Sequence, residues 1–317
     1  MGRPVKVVVT GGAGFIGANL CRILLDHPGV SEVVAVDDLS TGFRTNLDGI
    51  DAELVDGSIL DAKLMTQTFS GADAVVHLAA RPSVPRSLED PVASHTANAT
   101  GTITVLEAMR AADVPAIITA SSSSVYGANP TLPKNEDLAT LPMSPYAASK
   151  LATESYTLAY QALFGIKALA FRFFNVFGPL QAAGHAYAAV VPAFVSAALQ
   201  GEPLTVFGDG TQSRDFTFVD TVGAVIREAI VNDVTSPAPV NLAFGTRVSL
   251  LSLIETLQGL LGRELDVVHV EPRTGDVVHS QADQRRVREM FPQVDPVDLP
   301  TGLSATIDWF RTLESTS

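Results

Sequence analysis

The fold is decided by Val5-Lys6-Val7-Val8-Val9-Thr10-Gly11-Gly12-Ala13-Gly14-Phe15-Ile16-Gly17. A β-branched run enters a glycine turn, and an apolar helical stretch, Ala18-Asn19-Leu20-Cys21-Arg22-Ile23-Leu24-Leu25, leaves it. In that order of strand, loop and helix, free backbone N–H groups at a helix N-terminus meet a phosphate. Gly11 permits the tight turn, Gly14 removes a side chain from the phosphate path, and Gly17 allows close helix packing. Phe15 and Ile16, in the same first turn, complete the expected dinucleotide cradle. The second strand ends Ala35-Val36-Asp37-Asp38, which places an acid near the spacing expected for the adenine ribose diol. A carboxylate there accepts from both hydroxyls and repels a 2′-phosphate, which favours NAD over NADP. Asp38 has two readings: a ribose contact, or a cap on the turn Leu39-Ser40-Thr41-Gly42.

Outward from this stretch, short β-branched runs at 5–10, 33–37, 52–55, 74–78, 116–121 and 167–172 alternate with helical patterns at 15–27, 61–70, 92–111 and 145–164. Such alternation predicts an α/β fold, a doubly wound parallel sheet of the Rossmann type covered on both faces. Ligands of such sheets bind beyond the carboxyl ends of the strands. From about 175 the pattern loosens into a helix near 189–200, a strand near 204–207, a helix after Asp220, a strand at 239–243, a helix at 250–261 and a strand at 266–270. No Pro- or Gly-rich linker separates the halves. The expected organisation is a dinucleotide-binding domain mainly within 1–174 and a smaller α/β lobe mainly within 175–317, with the chain free to cross between them.

The 317 residues, 46% hydrophobic and 17% charged, suffice for one large core or two fused ones. A formal charge of -13 argues against a nucleic-acid partner, which needs clustered Lys and Arg. The single cysteine, Cys21, excludes an internal disulfide, fits a reducing compartment and lies in a core helix pattern. The first residues run straight into a strand, and no apolar run reaches the roughly 20 residues that span a bilayer. A cytoplasmic protein with no membrane partner is expected. The six histidines show no metal-ligand spacing, so no metal site is expected.

Chemistry enters at Ser144-Pro145-Tyr146-Ala147-Ala148-Ser149-Lys150. Positions i and i+4 share one helix face, so a phenol and an ammonium can address one ligand. A nearby cation lowers the phenol's pKa from about 10, which suits proton exchange with an alcohol. Together with His77-Leu78-Ala79-Ala80, the run Ser121–Ser124 before Val125-Tyr126-Gly127, and the glycine spacing, this resembles an extended short-chain dehydrogenase/reductase. Three downstream segments narrow the likeness: Arg172–Pro179, Gly208–Asp215 and Arg273-Thr274-Gly275-Asp276. The whole resembles a UDP-hexose 4-epimerase of the UDP-galactose or UDP-N-acetylglucosamine type, from about residue 5 to 290.

The resemblance implies a tightly held NAD, reduced and reoxidised within each turnover. It implies that Tyr146 removes the 4′-hydroxyl proton, that Lys150 bonds the nicotinamide ribose and holds the phenol's pKa down, and that Ser122 is the catalytic hydroxyl. Ser123 and Ser124 would line the pocket, and Ser121 would only end the strand. Dehydratase relatives carry Thr-Asp-Glu in place of the serines. Those acids serve water elimination, so the serine run favours epimerisation. Leu78, Ala79, Ala80, Ser58 and Ile59 fall at cofactor positions, although Ser58 replaces the family's usual adenine-reading Asp. Asn98 is read as a cofactor contact or as a residue orienting the lysine, with a plain polar helix residue as the alternative. His77 is read as strand-end packing.

By the same resemblance, Asn175, Arg214, Arg273 and Asp276 contact the UDP portion, Arg being suited to bidentate phosphate contacts. Ser280 stands where some members carry a bulky Tyr, and a small residue leaves space for an N-acetyl group. Ser83 and the segment Tyr187-Ala188-Ala189-Val190 also resemble N-acetyl-accepting members. The expected substrates are UDP-GlcNAc/UDP-GalNAc alongside UDP-Glc/UDP-Gal. Rivals are a UDP-glucuronate 4-epimerase or decarboxylase, for which only Arg86 offers a cation, and a non-catalytic NAD sensor, which would not need the phenol. Leu106, Met109, Leu151, Ala152 and Leu158 either pack on the sheet or, by resemblance, pair helices 92–111 and 145–164 into a homodimer.

Overall fold

The computed structural model describes residues 4–183, 189–272 and 279–314. Tyr187, Ala188, Arg273 and Asp276 lie outside the described residues. Strand β1 (Val5–Thr10) is followed by α1 (Phe15–Leu25), β2 (Val30–Asp37), β3 (Glu53–Asp56), α2 (Ala62–Thr68) and β4 (Ala74–His77). Next come α3 (Val84–Glu89), α4 (Pro91–His95), α5 (Gly101–Ala111), β5 (Ala116–Ser122), α6 (Pro145–Phe164) and β6 (Lys167–Phe173). One seven-stranded sheet has the order β3-β2-β1-β4-β5-β6 and then β11 (Val240–Leu242), and each neighbouring pair is parallel. The strand order reverses between β1 and β4, so the carboxyl ends of these two strands frame the switch-point crevice.

The sheet is buried on both faces, which explains its near-continuous apolar strands. Val7 and Val9 of β1 pack with Leu20 and Leu24 of α1 on one face, while Val8 packs with Val105, Leu106 and Met109 of α5 on the other. Leu106 and Met109 are fully buried there, so for these two the sheet-packing reading holds. Beyond β6 the chain forms β7 (Asn175–Phe177), α7 (Val190–Gln200), β8 (Leu204–Phe207), β9 (Ser213–Arg214), β10 (Phe216–Phe218) and α8 (Val219–Val231). After β11 come β12 (Val248–Ser249), α9 (Leu250–Leu261), β13 (Val267–Val270), α10 (Arg285–Met290) and α11 (Leu299–Glu314). A second core joins Phe194 and Val195 of α7, Leu253 and Leu257 of α9, and Leu303, Ile307 and Phe310 of α11. The chain also returns to the large sheet: β11 extends it, and Val222, Val225 and Ile226 of α8 pack in the same cluster as α1.

One helix differs from its sequence pattern. The stretch expected as a continuous helix over 92–111 is α4, a π-helical turn over Thr96–Thr100, and then α5. The cause is tertiary. Asn98 accepts from Arg81 N at 2.7 Å and donates to Arg81 O at 3.2 Å and Ser149 Oγ at 2.9 Å, tying the turn to two other segments. Among the described residues, no helix is long and apolar enough to cross a membrane.

Candidate active site

Gly11 has φ +73°, and a Cβ there would lie 2.7 Å from Ala79 N. The glycine loop can therefore close against the loop after β4 only without a side chain. At Gly17 a Cβ would lie 2.0 Å from Gly11 O, so that glycine sets the approach of α1 to the turn. Gly14 is the N-cap of α1 and supplies no side-chain cap, leaving the N–H groups of the first turn to an incoming anion. The side chains of Phe15 and Ile16 turn away to pack on the second core.

Asp37 is buried at the end of β2, with Oδ2 accepting from Ala13 N at 3.0 Å and Oδ1 from Leu39 N at 2.9 Å. Burial raises its carboxyl, opposed by those two bonds. Each oxygen keeps a lone pair for a diol. Asp38 is exposed and accepts from Ser40 N at 3.0 Å and Ser40 Oγ at 2.6 Å, which is the turn-capping geometry. Ser58 Oγ accepts from Leu60 N at 3.2 Å, and Ile59 is buried under α5 beside Gly101. A ligand contact at Ile59 would thus use its backbone. Leu78 N donates to Thr10 O at 3.0 Å and Ala79 N to Thr10 Oγ1 at 3.4 Å, which fixes the Leu78-Ala79-Ala80 loop at the crevice. A cradle that an added Cβ would fill, an uncapped helix end and an acid at the β2 terminus together fit a dinucleotide.

Helix α6 begins at a side-chain cap, Ser144 Oγ accepting from Ala147 N at 3.1 Å, with Pro145 in the first turn. That start sets Tyr146, Lys150 and Glu154 at four-residue intervals on one face, and they meet three consecutive residues of β5. Tyr146 bonds Ser122, Lys150 Nζ donates to Ala120 O at 2.9 Å, and Glu154 Oε2 accepts from Ser121 Oγ at 2.8 Å. Ser122 Oγ also accepts from Ser124 N at 3.2 Å and Ser124 Oγ at 2.9 Å, so hydroxyl and phenol form one chain. Ser123 is half-buried in the turn that follows β5.

The expected depression of the phenol by Lys150 is corrected by this geometry. Burial raises the Tyr146 phenol, and the bond from Ser122 is what opposes it. The ammonium is turned to the Ala120 carbonyl and is itself lowered by burial to about 8. Ser121 also does more than end its strand, because it anchors Glu154, which forms a buried pair with Arg172 at 2.7 Å. His77 is buried between Thr10 Oγ1 at 2.8 Å and Thr102 Oγ1 at 3.1 Å, and burial lowers it to about 3, so it stays neutral. Asn98 holds the Arg81 backbone and Ser149, next in chain to Lys150, rather than the lysine side chain.

A cavity of about 240 Å³ lies among Asn175, Ala189, Val190 and Arg214. The structure thus brings together four positions separated by up to 39 residues. Sequence reading missed other walls of this cavity: Gln181, Thr205, Phe207 and Gln212. Among the described residues, Gln181 Oε1 is buried without a hydrogen-bond partner. Its place two residues after Gly178-Pro179 was the one local signal. Ser280 N donates to Ser213 O at 3.0 Å, which sets Ser280 beside the strand of Arg214. Ser83 begins α3 at φ 93°, a left-handed backbone for a non-glycine residue.

Residues 7–243 match the NAD dependent epimerase/dehydratase family. The chain belongs to that family. It is an enzyme that works with NAD, on the extended short-chain dehydrogenase/reductase scaffold. Among relatives, the UDP-glucose 4-epimerase of Mycolicibacterium smegmatis is 37% identical, covering 97% of this chain and 99% of that one. A solved UDP-N-acetylglucosamine 4-epimerase from Methanobrevibacter ruminantium M1, in complex with UDP-N-acetylmuramic acid, is 33% identical. It superposes with a TM-score of 0.92 over 98% of this chain and 100% of its own. A UDP-glucuronic acid 4-epimerase from Bacillus cereus, solved with UDP-glucuronic acid and NAD, is 30% identical, with a TM-score of 0.88 over 97% and 99%.

Proposed function

We propose that this family member interconverts C4 epimers of UDP-hexoses through a transient 4-keto sugar, taking UDP-GlcNAc/UDP-GalNAc and UDP-Glc/UDP-Gal. The observation that carries the reading is the Tyr146–Ser122 pair at the carboxyl edge of the sheet, in a chain that also presents a dinucleotide cradle and the Asn175–Arg214 cavity. Gly11, Gly14, Gly17, Asp37 and the loop Leu78-Ala79-Ala80 would hold NAD, with Lys150 toward its nicotinamide ribose. When bound, NAD supplies a positively charged hydride acceptor that gives the hydride back. Tyr146 takes the C4-hydroxyl proton as the carbonyl forms and returns it to the same oxygen once the ring has presented its other face and C4 is reduced again, with Ser122 and Ser124 relaying or steadying that proton. Phe207 gives the cavity an aromatic wall for a nucleobase, while Asn175, Gln181, Gln212 and Arg214 supply polar contacts for nucleotide and diphosphate. Arg273 and Asp276 are assigned to the same ligand by motif.

The first lobe, mainly within 1–174, is proposed to bind the dinucleotide and the second the UDP-sugar. A second copy is proposed to pair along residues 92–111 and α6, where Val92 (72%), Tyr156 (40%) and Leu163 (75%) are exposed. The test of substrate range is product analysis by NMR with UDP-GlcNAc, UDP-Glc and UDP-glucuronate. Epimers of the first two support the reading, and turnover of UDP-glucuronate alone overturns it. Ser280→Tyr should depress the N-acetylated reaction selectively. Equal loss for both sugars would remove Ser280 as the gate.

A further inference from the structure

We propose that Asp215 is a positioning residue of the sugar-nucleotide site, its carboxylate fixing the returning segment 279–283 against the floor that carries Asn175 and Arg214. This rests on the functional reading above. Asp215 is fully buried between β9 and β10. Its Oδ1 accepts from Thr246 Oγ1 at 2.9 Å, its Oδ2 from Ala282 N at 2.9 Å, and the backbone N–H groups of Gly245 and Thr246 also point at it. Its own carbonyl accepts from Asn175 N at 3.1 Å, so one residue holds a cavity wall on one side and the returning segment on the other. The neighbouring Ser213 adds the bond from Ser280 N and a 2.9 Å contact to His279 Nδ1.

An ionised carboxylate suits this place because it offers only acceptors to a ring of donors, whereas an amide would turn a donor against one of them. Burial raises the carboxyl to about 6, against the pull of the bonds from Ala282 and Thr246. The packed elements also carry charged and titratable groups. Arg214 precedes Asp215 in chain, and Arg247 follows Thr246 with Nε 3.2 Å from Ser213 Oγ. His279 and Asp283 lie on the returning segment, with Arg285 on Asp283. Lys134 pairs its backbone with Gln281 and Asp283. Below pH 6 the carboxyl gains a proton, loses an acceptor and loosens 279–283, so substrate affinity falls. Unfolding does not mimic this effect. The folded-state pKa is raised, so the stability this group contributes is fully present below its unfolded value and is lost only as pH rises through about 6.

The test is KM and kcat for the UDP-sugar that the wild type turns over best, from pH 5 to 8, in wild type, Asp215→Asn and His279→Asn. In Asp215→Asn at pH 7.5, KM should rise about tenfold or more with kcat within about threefold, and KM should no longer vary with pH. In the wild type KM should rise severalfold toward pH 5, and His279→Asn should keep that rise. A wild-type KM in Asp215→Asn, a loss confined to kcat, or a rise abolished by His279→Asn overturns the proposal. Should Asp215→Asn fail to fold, Thr246→Val removes one donor and must still raise KM about two- to fivefold. An unchanged KM there overturns it equally. A wild type that turns over no UDP-sugar defeats the functional reading instead, and UDP affinity by calorimetry then reads the same variants.

Discussion

At the scale of the residue, the site depends on a phenol whose neighbours oppose the effect of its burial. Ser122 pulls the Tyr146 phenol down while desolvation pushes it up. Removing the hydroxyl while keeping the ring should therefore leave binding intact and remove proton transfer. Tyr146→Phe is expected to lower kcat by about 10²–10⁴-fold with KM and NAD content unchanged, measured by steady-state kinetics and the absorbance of the purified protein. Lys150, lowered by burial to about 8, carries its charge below that pH and loses it above. Activity that needs the ammonium should decline above about pH 8, and Lys150→Met should abolish that decline along with most activity. The glycine spacing and the Tyr146–Lys150 interval were legible because each is a local signal within a few residues. The ammonium's bond to Ala120 O was not, since it depends on how α6 sits on β5.

At the scale of the element, α6 acts as a clasp. Its i, i+4 and i+8 side chains bond three consecutive residues of β5, and the last of them, Glu154, carries Arg172 of β6. Both partners of that pair are buried, at 5% and 4% side-chain exposure. Breaking it leaves an uncompensated charge in the interior, so Glu154→Gln should cost about 3–5 kcal/mol in a denaturant titration. The half-exposed Glu32 partner of Lys6 should cost under about 1 kcal/mol when removed. Equal costs for the two would contradict this account of α6. Residues 145–164 were legible from end to end because Ser144, Pro145 and Gly165 (φ 71°) mark the limits locally. The break at 96–100 was hidden, since Asn98 bends the helix toward partners 17 and 51 residues away. β7, β9, β10 and β12 run for only two or three residues and leave no periodicity to read.

At the scale of the whole molecule, two buried groups set opposite trends with pH. His77 is lowered from 6.5 to about 3, so the unfolded chain binds a proton that the folded one refuses. Stability from this group is lost as pH falls from 6.5 toward 3, by at most about 5 kcal/mol. Asp215 works the other way across part of that window, which softens the acid loss. His77→Leu should flatten the acid limb of a pH–stability profile obtained by urea titration, and an unchanged limb would contradict the assignment. The doubly wound sheet was legible because strands and helices alternate in sequence. The cavity was only half legible. Asn175 and Arg214 sit in quotable motifs, whereas Thr205, Phe207 and Gln181 converge only once β8, β7 and the turn after Gly178 are folded together.

Under the proposed function a hydride leaves C4 of the sugar and returns to it without exchange, while Tyr146 handles the proton. Purified protein incubated with UDP-GlcNAc or UDP-Glc in deuterated water, without added NAD, tests this directly by proton NMR. The expected result is a mixture of C4 epimers that keep protium at C4, and no reaction with Tyr146→Phe. Deuterium appearing at C4, or epimerisation surviving Tyr146→Phe at the wild-type rate, would contradict it.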